Sequence, residues 1–140
     1  MRKVLFLCHG NICRSPMAEY IMKDKVKRFN IEDDFEIASK ALTFEELGND
    51  IYPEAKRCLL KHNISFENRR ASLFAKNDYD YYNEIYIMDE SNQYLVSRLC
   101  KDNLNKIKLL NGYIEDPWYS GNFDKVFKQI SEGIDKILGI

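Results

Sequence analysis

Short apolar runs alternate with segments of helical periodicity along this chain, and this alternation restricts the possible fold more than any other feature. The first run, Val4 to Leu7, is continuous and short, as expected for a strand buried on both faces of a parallel sheet. Further strands are predicted at 35–38, 84–88 and 107–110. Helices are predicted at 16–30, from Pro53 through His62, at 91–100 and at 123–138, with a helical turn at 77–83 whose tyrosines cover the sheet edge.

Strands that alternate with helices are typical of α/β proteins, in which the crossover connections are right-handed. We therefore predict an α/β fold, a doubly wound four-stranded parallel sheet flanked by helices. No internal repeat, linker or low-complexity segment interrupts the 140 residues, so we expect a single domain over residues 1–140.

Composition excludes several classes of protein. The net charge is −1, so we expect neither a nucleic-acid partner nor a membrane surface as partner. No segment resembles a signal peptide or approaches the ~18 apolar residues of a membrane span, which favours a cytoplasmic protein with reduced cysteines. The four cysteines and two histidines show no metal-ligand spacing, so we expect no metal and no other cofactor.

The segment Cys8-His9-Gly10-Asn11-Ile12-Cys13-Arg14-Ser15-Pro16 joins the first strand to the first helix. Successive backbone N–H groups of such a loop form a concavity for anions, and the helix N-terminus adds its own unpaired N–H groups. We therefore predict a phosphate-binding loop after the first strand. The expected contacts of a phosphate or similar oxyanion are His9, Gly10, Asn11, Ile12, Cys13 and Ser15.

Cys8 and Arg14 are the predicted reactive groups of this loop. Local dipoles favour the thiolate form of Cys8, which is a strong nucleophile towards phosphorus. The planar guanidinium of Arg14 can bind two phosphate oxygens at once. We expect Gly10 to adopt a backbone conformation closed to other residues, and Asn11 a left-handed one. A buried structural cysteine beside a surface arginine is the alternative, but the surrounding strand, glycine and helix favour the reactive pair.

The loop resembles the signature of the low-molecular-weight protein tyrosine phosphatases, and the resemblance extends over essentially the whole chain. It implies a four-stranded parallel sheet with the loop at the carboxyl end of the first strand. It also implies hydrolysis of phosphotyrosine in protein substrates, through a phosphocysteine intermediate on Cys8 with Arg14 clamping the phosphate.

Cleavage of a phosphate ester also needs an acid that protonates the departing oxygen, and Asp116 is the best candidate. Pro117 restrains Asp116 towards an extended backbone, and the two aromatic residues that follow can line a pocket for a phenyl ring. The segment resembles the acid loop of the family, with Trp118 in the place of a tyrosine. Asp116 is thereby implied to be the general acid, and Trp118 and Tyr119 to be walls of the pocket.

Three further positions follow from the resemblance. Ser39, expected at the start of the loop after the second strand, would hydrogen-bond Asn11 and hold its unusual conformation. The segment 42–48 would form the opposite wall, where Glu45 stands in place of the common aromatic and Phe44 is its neighbour. Asp89 is expected to have a structural role, capping a helix or supporting the phosphate loop.

Three alternatives use the same loop. An arsenate reductase of this fold would need two further cysteines close together, whereas Cys58 and Cys100 are far apart in the sequence. Protein-arginine phosphatases of the same superfamily tend to carry threonine where this loop has Ile12. A non-catalytic phosphate-binding module would not need both Cys8 and Asp116. Because Cys13 shares the loop with Cys8, we also expect peroxide to form a reversible Cys8–Cys13 disulfide.

Overall fold

Four strands and six α-helices alternate along the chain, in a computed structural model that describes residues 1–140. The strands are β1 (Arg2–Cys8), β2 (Phe35–Ala41), β3 (Glu84–Ile87) and β4 (Ile107–Leu109). The helices are α1 (Arg14–Arg28), α2 (Pro53–Lys61), α3 (Lys76–Tyr81), α4 (Glu90–Leu99), α5 (Pro117–Ser120) and α6 (Phe123–Leu138).

The strands form one parallel sheet in the order β2-β1-β3-β4. Val4 of β1 lies opposite Ile37 of β2, and Leu5 lies opposite Ile85 of β3 on the other side. The strand order changes direction between β1 and β3, and a crevice for ligands is expected at that point, outside the carboxyl ends of the strands. The predicted fold class is confirmed.

Helices cover both faces of the sheet, which explains why β1 is apolar almost throughout. Val4 and Phe6 pack in a cluster with residues of α1, α2 and α6. Leu5 and Leu7 point to the other face and pack with Tyr79 of α3 and with residues of α4. All four β1 side chains are fully buried. The helical turn expected at 77–83 is α3.

Two of the differences from the predicted boundaries bear on the site. α1 begins at Arg14, so Pro16 lies within the first turn instead of opening the helix. Proline is tolerated there because the first N–H groups of a helix have no partner within it. β2 continues to Ala41, whose N–H and C=O pair with Ser72 and Phe74. Ser39 therefore lies inside a strand and does not open the loop. Its polar side chain is the reason that the sequence predicted a loop there.

None of the helices combines the length and the apolar composition that crossing a membrane requires.

Candidate active site

A cleft of about 450 Å³ opens at the carboxyl end of β1. Its lining includes nine predicted site residues: Cys8, His9, Gly10, Ile12, Cys13, Arg14, Asp116, Trp118 and Tyr119. The other three, Asn11, Ser15 and Ser39, are buried and do not line the cleft. The site thus consists of a lining and of a buried group of polar residues behind it.

Cys8 is the last residue of β1, and its sulfur faces the start of α1. Cys8 Sγ lies 3.0 Å from Ser15 Oγ and accepts a hydrogen bond from the backbone N–H of Ser15 at 3.4 Å. The residue is 3% exposed. The first turn of a helix favours negative charge, so these contacts suit a sulfur that carries one.

Asn11 has the left-handed backbone that the sequence predicts, with φ of 60°. Its Nδ2 donates hydrogen bonds to Ser15 Oγ at 2.7 Å and to Ser39 Oγ at 3.0 Å. The second is the contact that the family resemblance implies for Ser39. Ser39 in turn donates to Glu19 Oε1 at 2.6 Å, so strand β2 and helix α1 both support the loop.

Glu19 and Arg69 support the site but were not predicted from the sequence. Arg69 donates from Nη1 to the Asn11 carbonyl at 2.8 Å and from Nη2 to Asn11 Oδ1. Burial lowers the pKa of Arg69 despite the nearby Glu19. The sequence could have singled out Glu19, because it is the only charged residue in the apolar segment 17–22. It could not have singled out Arg69, because this residue lies in a polar stretch typical of the surface.

Gly10 corrects a sequence expectation. It is not among the glycines with positive φ, so its backbone is not one that other residues must avoid. Glycine is required at this position because a larger residue would lack space. A Cβ at Gly10 would lie 3.0 Å from Glu46 Cγ, tighter than ordinary van der Waals contact. Glycine therefore allows the segment after β2 to approach the phosphate loop closely.

Arg14 is buried, and acceptors from distant parts of the chain fix its guanidinium. Nη1 donates to Asp89 Oδ2 at 2.7 Å and to the Ile114 carbonyl at 2.9 Å, while Nη2 lies 3.5 Å from Asp116 Oδ2. Burial by itself lowers the pKa of Arg14, but the Cys8 sulfur, Asp89 and Asp116 outweigh it and the pKa is raised. The guanidinium remains charged and is held at the cleft.

Asp89 performs both of the structural tasks expected of it. Its Oδ1 accepts the backbone N–H of Asn92 at 2.8 Å and so caps α4, while its Oδ2 holds Arg14.

Asp116 precedes α5, a one-turn helix within the segment predicted as a loop. Its Oδ1 accepts the Trp118 backbone N–H at 3.0 Å and caps this helix, while its Oδ2 faces Arg14. Trp118 and Tyr119 form an exposed wall of the cleft, and Trp118 packs edge-to-face on Tyr52 at 5.1 Å between ring centroids. One carboxylate thus shapes this segment and also reaches the cleft.

Glu45 and Glu46 form the opposite wall, as the family resemblance implies for segment 42–48. Phe44, expected beside them, is 75% exposed and does not line the cleft. Glu45 Oε2 lies 2.9 Å from His9 Nε2, which ties this wall to the phosphate loop. One rim of the cleft is therefore acidic and the other aromatic.

Cys13 lines the cleft but differs from Cys8 in its surroundings. Burial and the neighbouring Cys8 sulfur strongly raise the pKa of the Cys13 thiol. Cys13 is therefore a neutral thiol at neutral pH.

Comparison with known proteins agrees with this geometry. Residues 3–139 match the family model described as low molecular weight phosphotyrosine protein phosphatase. The chain belongs to this family.

Individual members of the family cover nearly the whole chain. PtpA of Staphylococcus aureus, a low molecular weight protein-tyrosine-phosphatase, is 34% identical over 99% of this chain and 92% of its own. YfkJ of Bacillus subtilis, which carries the same description, is also 34% identical, and its crystal structure superposes with a TM-score of 0.95 over 99% of this chain and 93% of its own. A Drosophila arginine phosphatase is 28% identical, with a TM-score of 0.86 over 99% of this chain and 96% of its own.

Proposed function

We propose that this protein hydrolyses phosphotyrosine in protein substrates through a phosphocysteine intermediate on Cys8. The observation that carries the proposal is the convergence of a thiol, a guanidinium and a carboxylate on one cleft, with Asp116 Oδ2 3.5 Å from Arg14 Nη2. The family relationship supports the same reaction class.

The first step transfers the phosphoryl group to sulfur. The Cys8 thiolate attacks phosphorus, the bond to the tyrosine oxygen breaks, and Asp116, entering as the carboxylic acid, gives its proton to that oxygen. Arg14 and the loop N–H groups bind the equatorial oxygens, where the charge of the transition state is spread.

The second step releases phosphate. Asp116, now a carboxylate, takes a proton from water as the water oxygen attacks phosphorus, and the phosphorus–sulfur bond breaks. The leaving sulfur becomes a thiolate again, and Ser15 Oγ, 3.0 Å away, can donate a hydrogen bond to it. Asp116 keeps the proton taken from water and phosphate departs, so the cycle consumes one water molecule and regenerates the enzyme.

An arsenate reductase mechanism is disfavoured because a disulfide relay needs neighbouring cysteines. Cys58 belongs to the core on the α1 and α6 face of the sheet, whereas Cys100 packs against the core on the opposite face.

Phosphoarginine is a second candidate substrate, because the carboxylates of Glu45 and Glu46 suit a cationic guanidinium. Against it stands Ile12, a cleft residue without a hydrogen-bonding side chain, which suits a phenyl ring better. The double variant Glu45→Gln/Glu46→Gln distinguishes the two. It should lose activity on phosphoarginine and retain activity on phosphotyrosine.

The test of the main proposal is a panel of phosphotyrosine, phosphoserine and phosphoarginine peptides, assayed beside arsenate reduction. Phosphotyrosine should be preferred, because Cys8 is 3% exposed whereas Trp118 and Tyr119 stand at an exposed rim. Cys8→Ser should abolish turnover and retain phosphate binding, since Arg14 and the loop N–H groups remain. Equal cleavage of phosphoserine, or turnover by Cys8→Ser, would contradict the proposal.

We further propose a reversible disulfide between Cys8 and Cys13. Peroxide oxidises the Cys8 thiolate to a sulfenic acid, the Cys13 sulfur then attacks the Cys8 sulfur, water leaves, and the disulfide forms. The raised pKa of Cys13 makes the second step slow, because little of its thiolate exists at neutral pH. A nucleophile that must stay reduced also favours the cytoplasm as the site of action.

A further inference from the structure

A second group of reactive side chains lies between α2 and α6, outside the cleft. Cys58 belongs to α2, His62 caps the C-terminus of the same helix one turn later, and Asp124 lies in the first turn of α6. One donor atom from each residue lies within 4.8 Å of one from each of the others. The sequence pattern did not suggest a metal site, because its third member comes from a distant helix.

The imidazole of His62 is already oriented. Its Nδ1 lies 2.9 Å from the Cys58 carbonyl oxygen. A carbonyl only accepts, so Nδ1 donates this hydrogen bond and Nε2 is the ring nitrogen left for a metal. The ring also stacks on Phe127 of α6, with centroids 3.7 Å apart and planes 10° apart. Metal-binding histidines commonly have their other N–H bound in this way.

The thiol and the carboxylate have nearly the separation of two ligands on one ion. Cys58 Sγ lies 3.9 Å from Asp124 Oδ1. In a tetrahedral zinc site, bond lengths of about 2.3 Å to sulfur and 2.1 Å to oxygen put these atoms about 3.6 Å apart. Lys61 occupies the other oxygen, Oδ2, at 2.9 Å and leaves Oδ1 directed at the thiol.

We propose that Cys58, His62 and Asp124 form a binding site for Zn²⁺, with water as the fourth ligand. Thiolate, imidazole and carboxylate are all ligands that this ion takes in proteins. On binding, the Cys58 thiol gives its proton to solvent as the zinc–sulfur bond forms. The ion links the end of α2 to the start of α6 and thereby stabilises the fold.

One side chain at this site, the ammonium of Lys61, disfavours cation binding. Its positive charge lies beside Asp124 and opposes a cation there. Lys61→Met should therefore bind the metal several-fold more tightly, an effect that a merely structural contact between the helices would not produce.

Titration with Co²⁺, followed by Zn²⁺ competition, tests the proposal. Cys8→Ser is the background, so that the cleft offers no nucleophilic thiolate to the metal. One equivalent of Co²⁺ should give a thiolate charge-transfer band and the visible absorption of a tetrahedral ion, and Zn²⁺ should remove both. Thermal unfolding with and without ZnCl₂ should show a higher Tm with the metal.

Matched variants in that background locate the ligands. Asp124→Asn and His62→Gln should each weaken binding at least tenfold, and Cys58→Ala should remove the charge-transfer band. Cys100→Ala and Asp135→Asn alter a thiol on the opposite face and another carboxylate of α6, and both should bind as the background does. Asp124 is exposed, so Asp124→Asn should fold even if Cys58→Ala does not.

Two results would overturn the proposal. One is the absence of saturable Co²⁺ or Zn²⁺ binding at micromolar metal. The other is unchanged binding in Asp124→Asn and Cys58→Ala, which would assign the metal to other groups. Neither result bears on phosphatase activity, so the zinc site and the proposed function are tested separately.

Discussion

Replacing Asn11 by alanine should destabilise the phosphate loop more than any other single truncation in it. The side chain is fully buried and donates to Ser15 and Ser39. It also accepts from the guanidinium of Arg69. Its Oδ1 also accepts the backbone N–H of Ser72 at 3.4 Å. Alanine would remove all four hydrogen bonds and would have to keep a φ of 60°.

The size of the effect follows from these contacts. A neutral hydrogen bond contributes about 1 kcal/mol and one from a charged donor about 2 kcal/mol. A left-handed conformation costs an alanine a further ~1–2 kcal/mol. The free energy of unfolding should therefore fall by about 6 kcal/mol, and the Tm by about 20 °C. Activity on phosphotyrosine should fall about 100-fold, because the loop no longer holds the reacting atoms in line.

Urea and thermal unfolding, together with kcat on a phosphotyrosine peptide, measure both effects. Asn30→Ala is the matched control. Asn30 has a φ of 58° but is exposed at the end of α1, so this variant carries the backbone cost alone. It should lose only ~1–2 kcal/mol and keep full activity. If Asn11→Ala lost no more stability than Asn30→Ala, the buried hydrogen bonds would not be what holds the loop.

Three further predictions concern catalysis, redox chemistry and pH. Asp116→Asn should slow phosphotyrosine hydrolysis about 10²–10⁴-fold and nitrophenyl phosphate clearly less, since a nitrophenolate leaves without a proton; equal losses would mean that this residue only caps α5. Peroxide should inactivate the wild type reversibly, and mass spectrometry should detect a Cys8–Cys13 bridge. The same treatment should inactivate Cys13→Ser irreversibly. Irreversible inactivation of the wild type without the bridge would refute the redox proposal. Burial raises the pKa of Tyr82 to about 12, so the folded chain keeps a proton that the unfolded chain releases near pH 10. The free energy of unfolding should then fall between pH 10 and about 12. Urea titrations of Tyr82→Phe should show a smaller decrease over this pH range. An equal decrease in the variant and the wild type would show that Tyr82 does not titrate there.

The fold was predictable because its main determinants are local in sequence. The apolar run of β1 could be recognised as a strand buried on both faces, and α6 was bounded correctly at Phe123 and Leu138. The predicted end of β2 was wrong because polar residues of this strand make tertiary contacts. Ser39 and Lys40 suggested a loop, yet both lie in β2, where Ser39 bonds Asn11 and Lys40 pairs with Asp78.

The candidate site was predictable where one segment carries it and unpredictable where tertiary contacts decide. Cys8 and Arg14 are separated by one short loop, so local spacing was enough to pair them. Arg69 comes from a remote polar stretch and is recognisable only when the chain is folded around Asn11. The role of Gly10 likewise depends on Glu46, a neighbour in space that no local pattern reveals.

The anchoring of Arg14 also has a consequence for biosynthesis. Its guanidinium is fixed by Asp89, 75 positions later, and by the carbonyl of Ile114, 100 positions later. A nascent chain emerges from the ribosome N-terminus first, so the geometry of Arg14, the proposed phosphate clamp, is set only after most of the polypeptide has been made. Fragments that end before Ile114 should therefore be inert even where β1 and α1 have formed. The time at which enzymatic activity appears during translation would then report when the whole fold is complete.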